Sequence, residues 1–600
     1  MSAQVRLESA LYDRQREEIA SNVRKPTSDE MIKFYDALLQ LVLQAGVSFS
    51  LLEAPCLKRL CHFLNENLPV PPIAILQNRL YEIIREQKEH IKGYLISLPC
   101  QISLTLDDWE RPEEIFQSLE DIENSEETRF LCIRGHFFSP SFNAISLILS
   151  MEHVRGYQEA SDIKDTLDGV IRDWGLQGRI SAVTTGQGRN IQKAVDLYSK
   201  DISHIPWVHC TSHKTELCIT NSIEQDSAVM AIFRKCRDIT HYISGSTSLS
   251  ELFTVEQQKN YYSTWELFTL DVDPWNSWFT MAARVHMAYP KLLRLIQDLK
   301  RKKSGDLEED LRYYLKKDAE ALERFRMDDD EFLALEEMIS LLQPVVNFMN
   351  WARTSASRLT LSQVYTHVYT VLLPIRTVET TQAQALHTSL EAQLRESWPL
   401  SEISDHELLA IYLNPACAAS DFMKTTTVED PKAAEGFITL EQSAMNLLRD
   451  KIQQRMADKP CSEIMTMETM DEGDEQPENV ATLAYQALYS SEMDVEKYVV
   501  HPQEFWCTYQ DDPSFAEVIP IALSYLGIQA TSTADPAFSN DESSSDENDG
   551  PEPELDDNFP AVVCAKNYSV VISQIAQMEY EVDHEPTAQP DKRRRGEPVV

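Results

Sequence analysis

The sequence lacks the features that direct a chain into or across a membrane. No apolar run reaches the roughly 18–20 residues that a bilayer-spanning helix needs. The first residues, MSAQVRLESALYDRQREE, contain no hydrophobic stretch of the kind found in secretory signals. We therefore expect neither a signal peptide nor a membrane among the partners of this chain.

Cysteine is sparse, with 11 residues scattered through 600 positions. An odd number spread this thinly does not form the disulfide framework of a small secreted protein. The pattern instead predicts a reducing compartment, either the cytosol or the nucleus.

Positive charge is also in short supply. Lysine and arginine number 55 against 96 acidic residues, which leaves a formal net charge of −41. Such a field repels a phosphate backbone, so it excludes a uniformly basic, nonspecific nucleic-acid binder. It leaves open binding through a local basic face. The 43% hydrophobic and 25% charged residues are otherwise typical of folded globular proteins.

The hydrophobic period changes near residue 100. Before that point apolar residues recur at helical spacing, and after it QISLTLDDW, RFLCIRGHFFS and NAISLILSMEHV predict three strands. Helices and strands then alternate as far as residue 225. This order predicts an α/β fold, a mixed sheet with helices on both faces, followed by a long helical stretch.

Composition and pattern together divide the chain into segments. The predicted segments are a polar tail at 1–28, an N-terminal helical region at 29–100, the first part of an α/β core at 101–225, a helical stretch at 226–480, a compact C-terminal part at 481–540, and at 541–600 an acidic, disordered tail with a short apolar segment and a basic end. In the compact C-terminal part, FAEVIPIALSYLG is apolar on all sides, which indicates either a dimer surface or plain core.

The stretch RISAVTTGQGRN, residues 179–190, ends a strand in a polar turn. It is a phosphate-binding loop, a plain turn, or an active-site turn that has lost its essential residue. A phosphate-binding P-loop needs Lys followed by Ser or Thr after its second glycine, and none follows here. Gly186, Gln187 and Gly188 offer no charged side chain to a metal.

Motifs in a fixed order carry a family resemblance. They are LTLDDW, AVTTGQGRN, HCTSHKTELC, DPWNS, and the C-terminal segment EKYVVHPQEFWCTYQDDPSFAEVIPIALSYLGIQATST. Over roughly residues 30–540 the chain resembles transposases of the hAT superfamily. The resemblance implies a ribonuclease H-like core interrupted by a large all-α insertion, preceded by the N-terminal helical region and completed by a C-terminal dimerisation region, hence a homodimer.

The resemblance also implies a catalytic site. In the family, three carboxylates hold two divalent metals, and Mg²⁺ prefers hard anionic oxygen ligands. Asp107 matches the first carboxylate, Gly186 stands in place of the second, and Asp535 is the nearest counterpart of the third. A glycine supplies no charged ligand, and substitution by Asp173 or Asp196 on flanking helices would need a changed backbone path. We therefore expect an inactive core without a cofactor, with Mg²⁺ relevant only if catalysis persists.

Other motif residues have two interpretations each. Cys210 and His213, with His209 beside them, suggest either a zinc site or a structural part of the core. A structural zinc needs four ligands, and no second Cys/His pair lies at useful spacing, so we favour the structural role. Trp275 matches a family tryptophan placed near an extruded base, for which stacking is physically sensible. It also fits a core or interface residue, because Asp273 precedes the motif where the family has a threonine.

Basic clusters and the start of the chain bear on location and partners. The run KRKK at 300–303 is either a DNA contact or a solvated face, and we favour the face. The terminal cluster Lys592, Arg593, Arg594 and Arg595 suits a nuclear import signal. Residues 1–60 contain only Cys56 and so lack the BED-type zinc finger with which many family members begin.

Three functions remain after this reading. The preferred one is a transposase-derived nuclear protein, catalytically inactive, that dimerises and associates with DNA. The alternatives are a protein-interaction scaffold without DNA binding, with unknown protein partners, and an active transposase with a rearranged metal site.

Overall fold

The computed structural model describes sixteen segments of the chain. The described residues are 26–45, 49–65, 67–110, 129–154, 158–186, 188–258, 274–301, 317–318, 320–354, 359–418, 420–429, 437–457, 477–489, 498, 501–532 and 564–573. The chain divides into two compact units, one formed by Met1–Ser97 with Pro536–Val600 and the other by Leu98–Asp535.

The first unit is a set of helices around an apolar cluster. Its helices are α1 (Ser28–Ala45), α2 (Phe49–Glu53), α3 (Pro55–Leu64), α4 (Ile73–Ser97) and a further helix at 564–573. The buried cluster comprises Leu38, Leu39, Val42, Phe49, Leu52, Leu76, Leu80 and Ala565. In addition, Gln87 Nε2 donates a hydrogen bond to Ser569 Oγ at 2.9 Å. The helix at 564–573 is therefore part of this unit, although it lies far from the other helices in sequence.

The second unit contains the predicted mixed sheet. Its strands are β1 (Ile102–Glu110), β2 (Arg129–Phe138), β3 (Ala144–Val154), β4 (Ile180–Thr185) and β5 (Trp207–His209), in the order β3-β2-β1-β4-β5. β1, β2 and β3 pair antiparallel, whereas β4 pairs parallel to both β1 and β5. All residues of β4 are buried, which requires cover on both faces of the sheet. The predicted α/β class and mixed sheet are confirmed.

Helices α5 (Ala160–Asp173), α6 (Arg189–Asp201) and α7 (Thr211–Glu224) follow β3, β4 and β5. α5 begins in a capping box, in which the side chains of Glu159 and Asp162 bond each other's backbone amides. At its other end the fully buried Trp174 donates from Nε1 to the carbonyl oxygen of Leu149 in β3 at 2.9 Å. These contacts fix both ends of the connection that returns the chain to the sheet.

A long, mainly helical stretch follows α7. Its elements are α8 (Ser227–Ser244), α9 (Thr247–Gln258), α10 (Pro274–Arg301), α11 (Asp329–Thr354), α12 (Leu361–His367), α13 (Gln384–Ser397), α14 (Asp405–Tyr412), α15 (Pro415–Ala418), β6 (Thr426–Glu429), β7 (Phe437–Thr439), α16 (Leu440–Ala457), α17 (Pro477–Leu488), α18 (Gln503–Cys507) and α19 (Val518–Leu526). A π-helix, Val368–Leu372, and a 3₁₀-helix, Leu373–Thr377, continue α12.

The expectation of an all-α insertion is wrong at one place. β6 and β7 form an antiparallel pair within it, with Thr426 opposite Thr439 and Val428 opposite Ile438. The sequence predicts a helical stretch over the whole of 226–480 and no strand in it. The β-branched run TTTV and the residues FIT favour strands more strongly than the neighbouring acidic residues disfavour them.

One helix in the described part of the chain is long and apolar enough to cross a membrane by composition alone. It is the stretch Asp329–Ala352 of α11, and 56% of its most apolar window is buried inside the structure. A core helix of a folded domain is apolar and buried in the same way, so this composition is weak evidence for a membrane span.

α19 contains the apolar residues VIPIALSYL, for which the sequence allows either a dimer surface or a place in the core. Its side chains Val518, Ile521, Leu523 and Leu526 are buried within the second unit, and the helix packs against β2. This burial fits the core alternative. The chain then crosses the sheet as residues 527–532, named here the closing segment, and Gln529 pairs with Thr360 in an antiparallel bridge.

Candidate functional site

The predicted site residues Asp107 and Gly186 lie side by side at one edge of the sheet. β1 and β4 are parallel, and their register pairs Leu106 with Thr185, the residues immediately before each of them. Strand ends of this kind gather side chains from different parts of a sequence at one edge. The structure thus places on neighbouring strands the two positions that the family resemblance assigns to one site.

A row of polar side chains leads up to Asp107 along one face of the sheet. Side chains alternate along a strand, so Ser103, Thr105 and Asp107 share a face of β1. Arg134 of β2 pairs with Thr105, and His136 pairs with Ser103. All of these except Asp107 are buried, and Asp107 is half-buried.

Burial controls the charge state of this row. Thr105 Oγ1 and His136 Nε2 are 2.9 Å apart and hydrogen-bonded. Burial, and secondly the positive charge of Arg134, lowers the pKa of His136 to about 3. His136 is therefore neutral at physiological pH and acts as a hydrogen-bonding core residue.

The closing segment covers the polar row and takes its hydrogen bonds. Ser103 Oγ donates to the carbonyl oxygen of Gly527 at 2.8 Å, and Thr184 Oγ1 donates to that of Gln529 at 2.6 Å. The backbone N–H of Thr211, the first residue of α7, donates to the carbonyl oxygen of Ala530 at 2.8 Å. The segment thus joins β1, β4 and α7, although more than 300 residues separate it from them in sequence.

The last residue of the closing segment bonds two predicted site residues. The N–H of Ser532 donates to Cys210 Sγ at 3.2 Å, and its hydroxyl donates to Asp107 Oδ1 at 3.4 Å. Cys210 is fully buried and precedes the first residue of α7. Ser532 therefore links the end of β1 to the start of α7.

Cys210 and His213 shift each other's pKa in opposite directions. Burial by itself raises the pKa of the Cys210 thiol, but the hydrogen bond and charge of His213 outweigh it and lower that pKa. Burial likewise lowers the pKa of His213, and the hydrogen bond and charge of Cys210, helped by Asp107, raise it above its usual value. Both shifts favour a thiolate beside an imidazolium.

The ring of His213 lies against Gly186. A Cβ atom at position 186 would be 3.1 Å from His213 Cε1 and 3.4 Å from Nδ1, closer than carbon atoms ordinarily approach a neighbouring ring. The space beside the strand end, where a carboxylate at position 186 would start, is thus bounded by an imidazole.

These residues do not fit a pair of catalytic metals. Mg²⁺ needs several oxygen ligands, and Gly186 offers no side chain. The candidate substitutes Asp173 and Asp196 are both exposed, and Asp173 precedes the start of β4 whereas Gly186 follows its end. Within the described segments, no group of three or more His, Cys, Asp or Glu side chains is arranged to hold a metal. We therefore derive no metal-dependent step here.

His209, which stands beside Cys210 and His213 in the zinc alternative, packs against neighbouring side chains of the sheet. The ring of His209 stacks on Trp207, with centroids 5.3 Å apart, and Trp207 Nε1 donates to Thr185 Oγ1 at 2.9 Å. His209, next to the CxxH motif, thus packs around the end of β4, and the structural role of Cys210 and His213 stays a prediction.

Several predicted residues cannot be placed. Asp535 lies outside the described residues, three positions after Ser532, and so does the basic cluster Lys592, Arg593, Arg594 and Arg595. Trp275 lies in the first turn of α10, and its side chain is outside the described part. Their proposed roles stay predictions.

Sequence reasoning missed the closing segment's contacts and the buried pair Arg134 and His136. The polar residues of QISLTLD recur at every second position, a signal that could have assigned Ser103 and Thr105 to the face of Asp107. No local signal in the sequence ATST identifies Ser532 as a partner of Cys210.

Comparison with known proteins agrees with this architecture. The five-stranded mixed sheet with its helices defines a ribonuclease-like α/β domain. Residues 119–213 match the family model of the ZBED1 RNase-like domain, a span that includes Gly186, Cys210 and His213. This part of the second unit is therefore similar to the RNase-like domain of a ZBED protein.

A curated relative is similar over a limited stretch. It is a protein of Talaromyces stipitatus, tpeD, whose name describes it as a candidate transcriptional regulator. The two chains are 23% identical over 195 residues, which is 31% of this chain and 21% of the relative. The similarity thus spans about a fifth of the relative's length.

Proposed function

We propose that this protein is a transposase-derived nuclear regulator that no longer cleaves DNA, dimerises through its C-terminal part (481–540) and associates with DNA. The match to the ZBED1 RNase-like domain and the name of the Talaromyces relative support the regulatory role. Nuclear import through Lys592, Arg593, Arg594 and Arg595 completes the proposal.

The observation that carries the loss of cleavage is the contact between His213 and Gly186. Phosphodiester cleavage by a two-metal site needs carboxylate oxygens that hold the two ions close together. Here one strand end presents Asp107, which accepts a hydrogen bond from Ser532, and the other presents a glycine against an imidazole ring. A fold that keeps its core contacts and lacks this ligand suits binding better than catalysis.

A local basic face supports the proposed DNA contact. α6 begins directly after the Gly186 turn and carries Arg189 and Lys193 one helical turn apart, both exposed. Cations at a helix N-terminus beside the sheet edge can pair with phosphates despite the overall charge of −41.

Fluorescence anisotropy with duplex and hairpin DNA across a salt series tests DNA association. We expect Arg189→Ala with Lys193→Ala to weaken binding and to reduce the salt slope by about two, one for each lost phosphate contact. Lys58→Ala with Arg59→Ala removes the same charge from exposed positions of α3 and should leave the slope unchanged. Equal effects of both pairs would argue for a general charge effect.

Further measurements separate the alternatives. Absence of binding at low salt would favour the protein-interaction scaffold. Nicking of DNA by the wild-type chain with Mg²⁺ or Mn²⁺ would favour an active transposase with a rearranged site. Light scattering should give twice the chain mass for a homodimer, and replacing all four residues 592–595 by alanine should keep a fluorescent fusion out of the nucleus.

A further inference from the structure

The backbone conformation at position 186 does not require a glycine. Within the described segments, the glycines with positive φ are Gly175 at 69° and Gly178 at 72°. Gly186 has an ordinary φ, which an L-residue adopts without strain. What a side chain at position 186 would meet is His213, with Cε1 at 3.1 Å, Nδ1 at 3.4 Å and Nε2 at 3.5 Å from the Cβ position.

His213 lies beside the points where the closing segment is bonded to the start of α7. It lies in the first turn of α7, three residues after Cys210, whose side chain raises the pKa of the His213 imidazole. Cys210 Sγ in turn accepts the N–H of Ser532. The next residue, Thr211, bonds Ala530 through its N–H. Moving the ring to admit a side chain at position 186 would therefore disturb the attachment of the closing segment.

We propose that His213 occupies the volume that a carboxylate at position 186 would need, and that this former metal-ligand position now works as a structural lock. The lock comprises Gly186, Cys210, His213 and Ser532, and it fastens the closing segment to the sheet edge. The inference rests on the proposed function only in treating this edge as noncatalytic. Its consequence is specific: Gly186→Asp alone breaks the lock and does not rebuild a metal site.

A double-mutant cycle between positions 186 and 213 tests the lock without any activity assay. Gly186→Ala should shift the folded-to-unfolded ratio by about fivefold or more towards the unfolded state in urea titrations. In a His213→Ala background the same change should have almost no effect, because the ring that opposes the new Cβ is gone. Equal effects in both backgrounds, or none in either, would overturn the proposal.

Gly169→Ala is the matched control. No heavy atom lies within 4 Å of a Cβ at Gly169, which is exposed on α5. The change should leave stability unchanged or raise it, because alanine is the better helix former. If His213→Ala does not fold, His213→Asn removes ring atoms, keeps a hydrogen-bonding group and allows the same cycle.

Metal binding provides the second measurement. Electron paramagnetic resonance with added Mn²⁺ should detect no specific site in the wild type or in Gly186→Asp. Specific Mn²⁺ binding by Gly186→Asp, absent from the wild type, would show that His213 yields easily and would contradict the lock. DNA cleavage by the wild type would refute the proposed function and leave the cycle's outcome untouched, so the two failures are distinguishable.

Discussion

The backbone N–H of Ser532 donates a hydrogen bond to the sulfur of Cys210 at 3.2 Å, across a sequence separation of 322 residues. Together with the bond from Ser532 Oγ to Asp107, it ties the last described part of the second unit to the end of β1 and the start of α7. The edge of the sheet that carries Asp107 and Gly186 is thus held together by contacts between protein atoms.

Position 210 should tolerate serine better than alanine. Cys210→Ala removes the acceptor of the Ser532 N–H and the partner of His213, which leaves buried polar groups unpaired at a cost of about 1–3 kcal/mol. Cys210→Ser keeps an acceptor. The buried Cys236 of α8 is the comparison, since burial alone raises its thiol pKa and a serine there would bury a hydroxyl. Urea unfolding should show that Cys236→Ala is more stable than Cys236→Ser, the reverse of the order at position 210. The same order at both positions would contradict the proposed role of Cys210 as a hydrogen-bond acceptor.

Glu337 of α11 should make stability depend on acid pH. Its carboxylate accepts bonds from Thr381 N, Thr381 Oγ1, Gln382 N and Ala383 N at 2.8–2.9 Å. Burial raises its pKa, but these bonds outweigh burial and lower it below the usual 4.5. A carboxyl group whose pKa is lower in the folded than in the unfolded state stabilises the fold at pH values above its unfolded-state pKa. This stabilisation is lost as the pH falls through the folded-state pKa.

Glu337→Gln tests that contribution. The glutamine amide would place its own N–H donors opposite the N–H and O–H groups that now donate to the carboxylate. We therefore expect the free energy of unfolding to fall by about 1–3 kcal/mol near neutral pH. The difference from the wild type should shrink as the pH falls below 4.5, measured by urea unfolding. The exposed neighbour Glu336→Gln should change stability little at any pH, and a pH-independent difference for Glu337→Gln would contradict the prediction.

His136 should contribute a second pH dependence, nearer neutrality. Its pKa of about 3 in the fold lies below the usual histidine value of 6.5, because burial opposes its charge. The unfolded chain therefore binds the extra proton first, and stability falls as the pH drops from 6.5 towards 3. His136→Gln should flatten this fall. The exposed His204→Gln should leave it intact, and an unchanged profile in His136→Gln would refute the assignment.

The helix at 564–573 should matter for the first unit. Ala565 is fully buried in the cluster with Leu38 and Leu76, so Ala565→Leu overpacks it and should cost about 1–3 kcal/mol. Ser569→Ala removes an exposed hydrogen bond to Gln87 and should cost under about 0.5 kcal/mol. Thermal or urea unfolding of the full chain measures both. Indifference to Ala565→Leu would show that this helix does not contribute to the cluster.

Individual residues show which contacts the sequence predicts and which it does not. The family resemblance assigns Asp107 and Gly186 to one site, and the parallel register of β1 and β4 places them on neighbouring strands. Ser532 was not predicted as a partner of Cys210, because a hydrogen bond across 322 residues leaves no periodic trace in either segment. The β6–β7 pair was missed because its strands are short and its neighbours are acidic.

By itself, the sequence determined the α/β class, the order of strands and helices between residues 101 and 225, and the absence of a carboxylate at position 186, because periodicity and residue identity are local properties. Only the tertiary structure decided what fills the place of that carboxylate. The ring of His213 reaches Gly186, and the closing segment reaches Cys210, through packing between elements distant in the chain. Contacts of that kind depend on the positions of whole elements, which no local pattern of residues specifies.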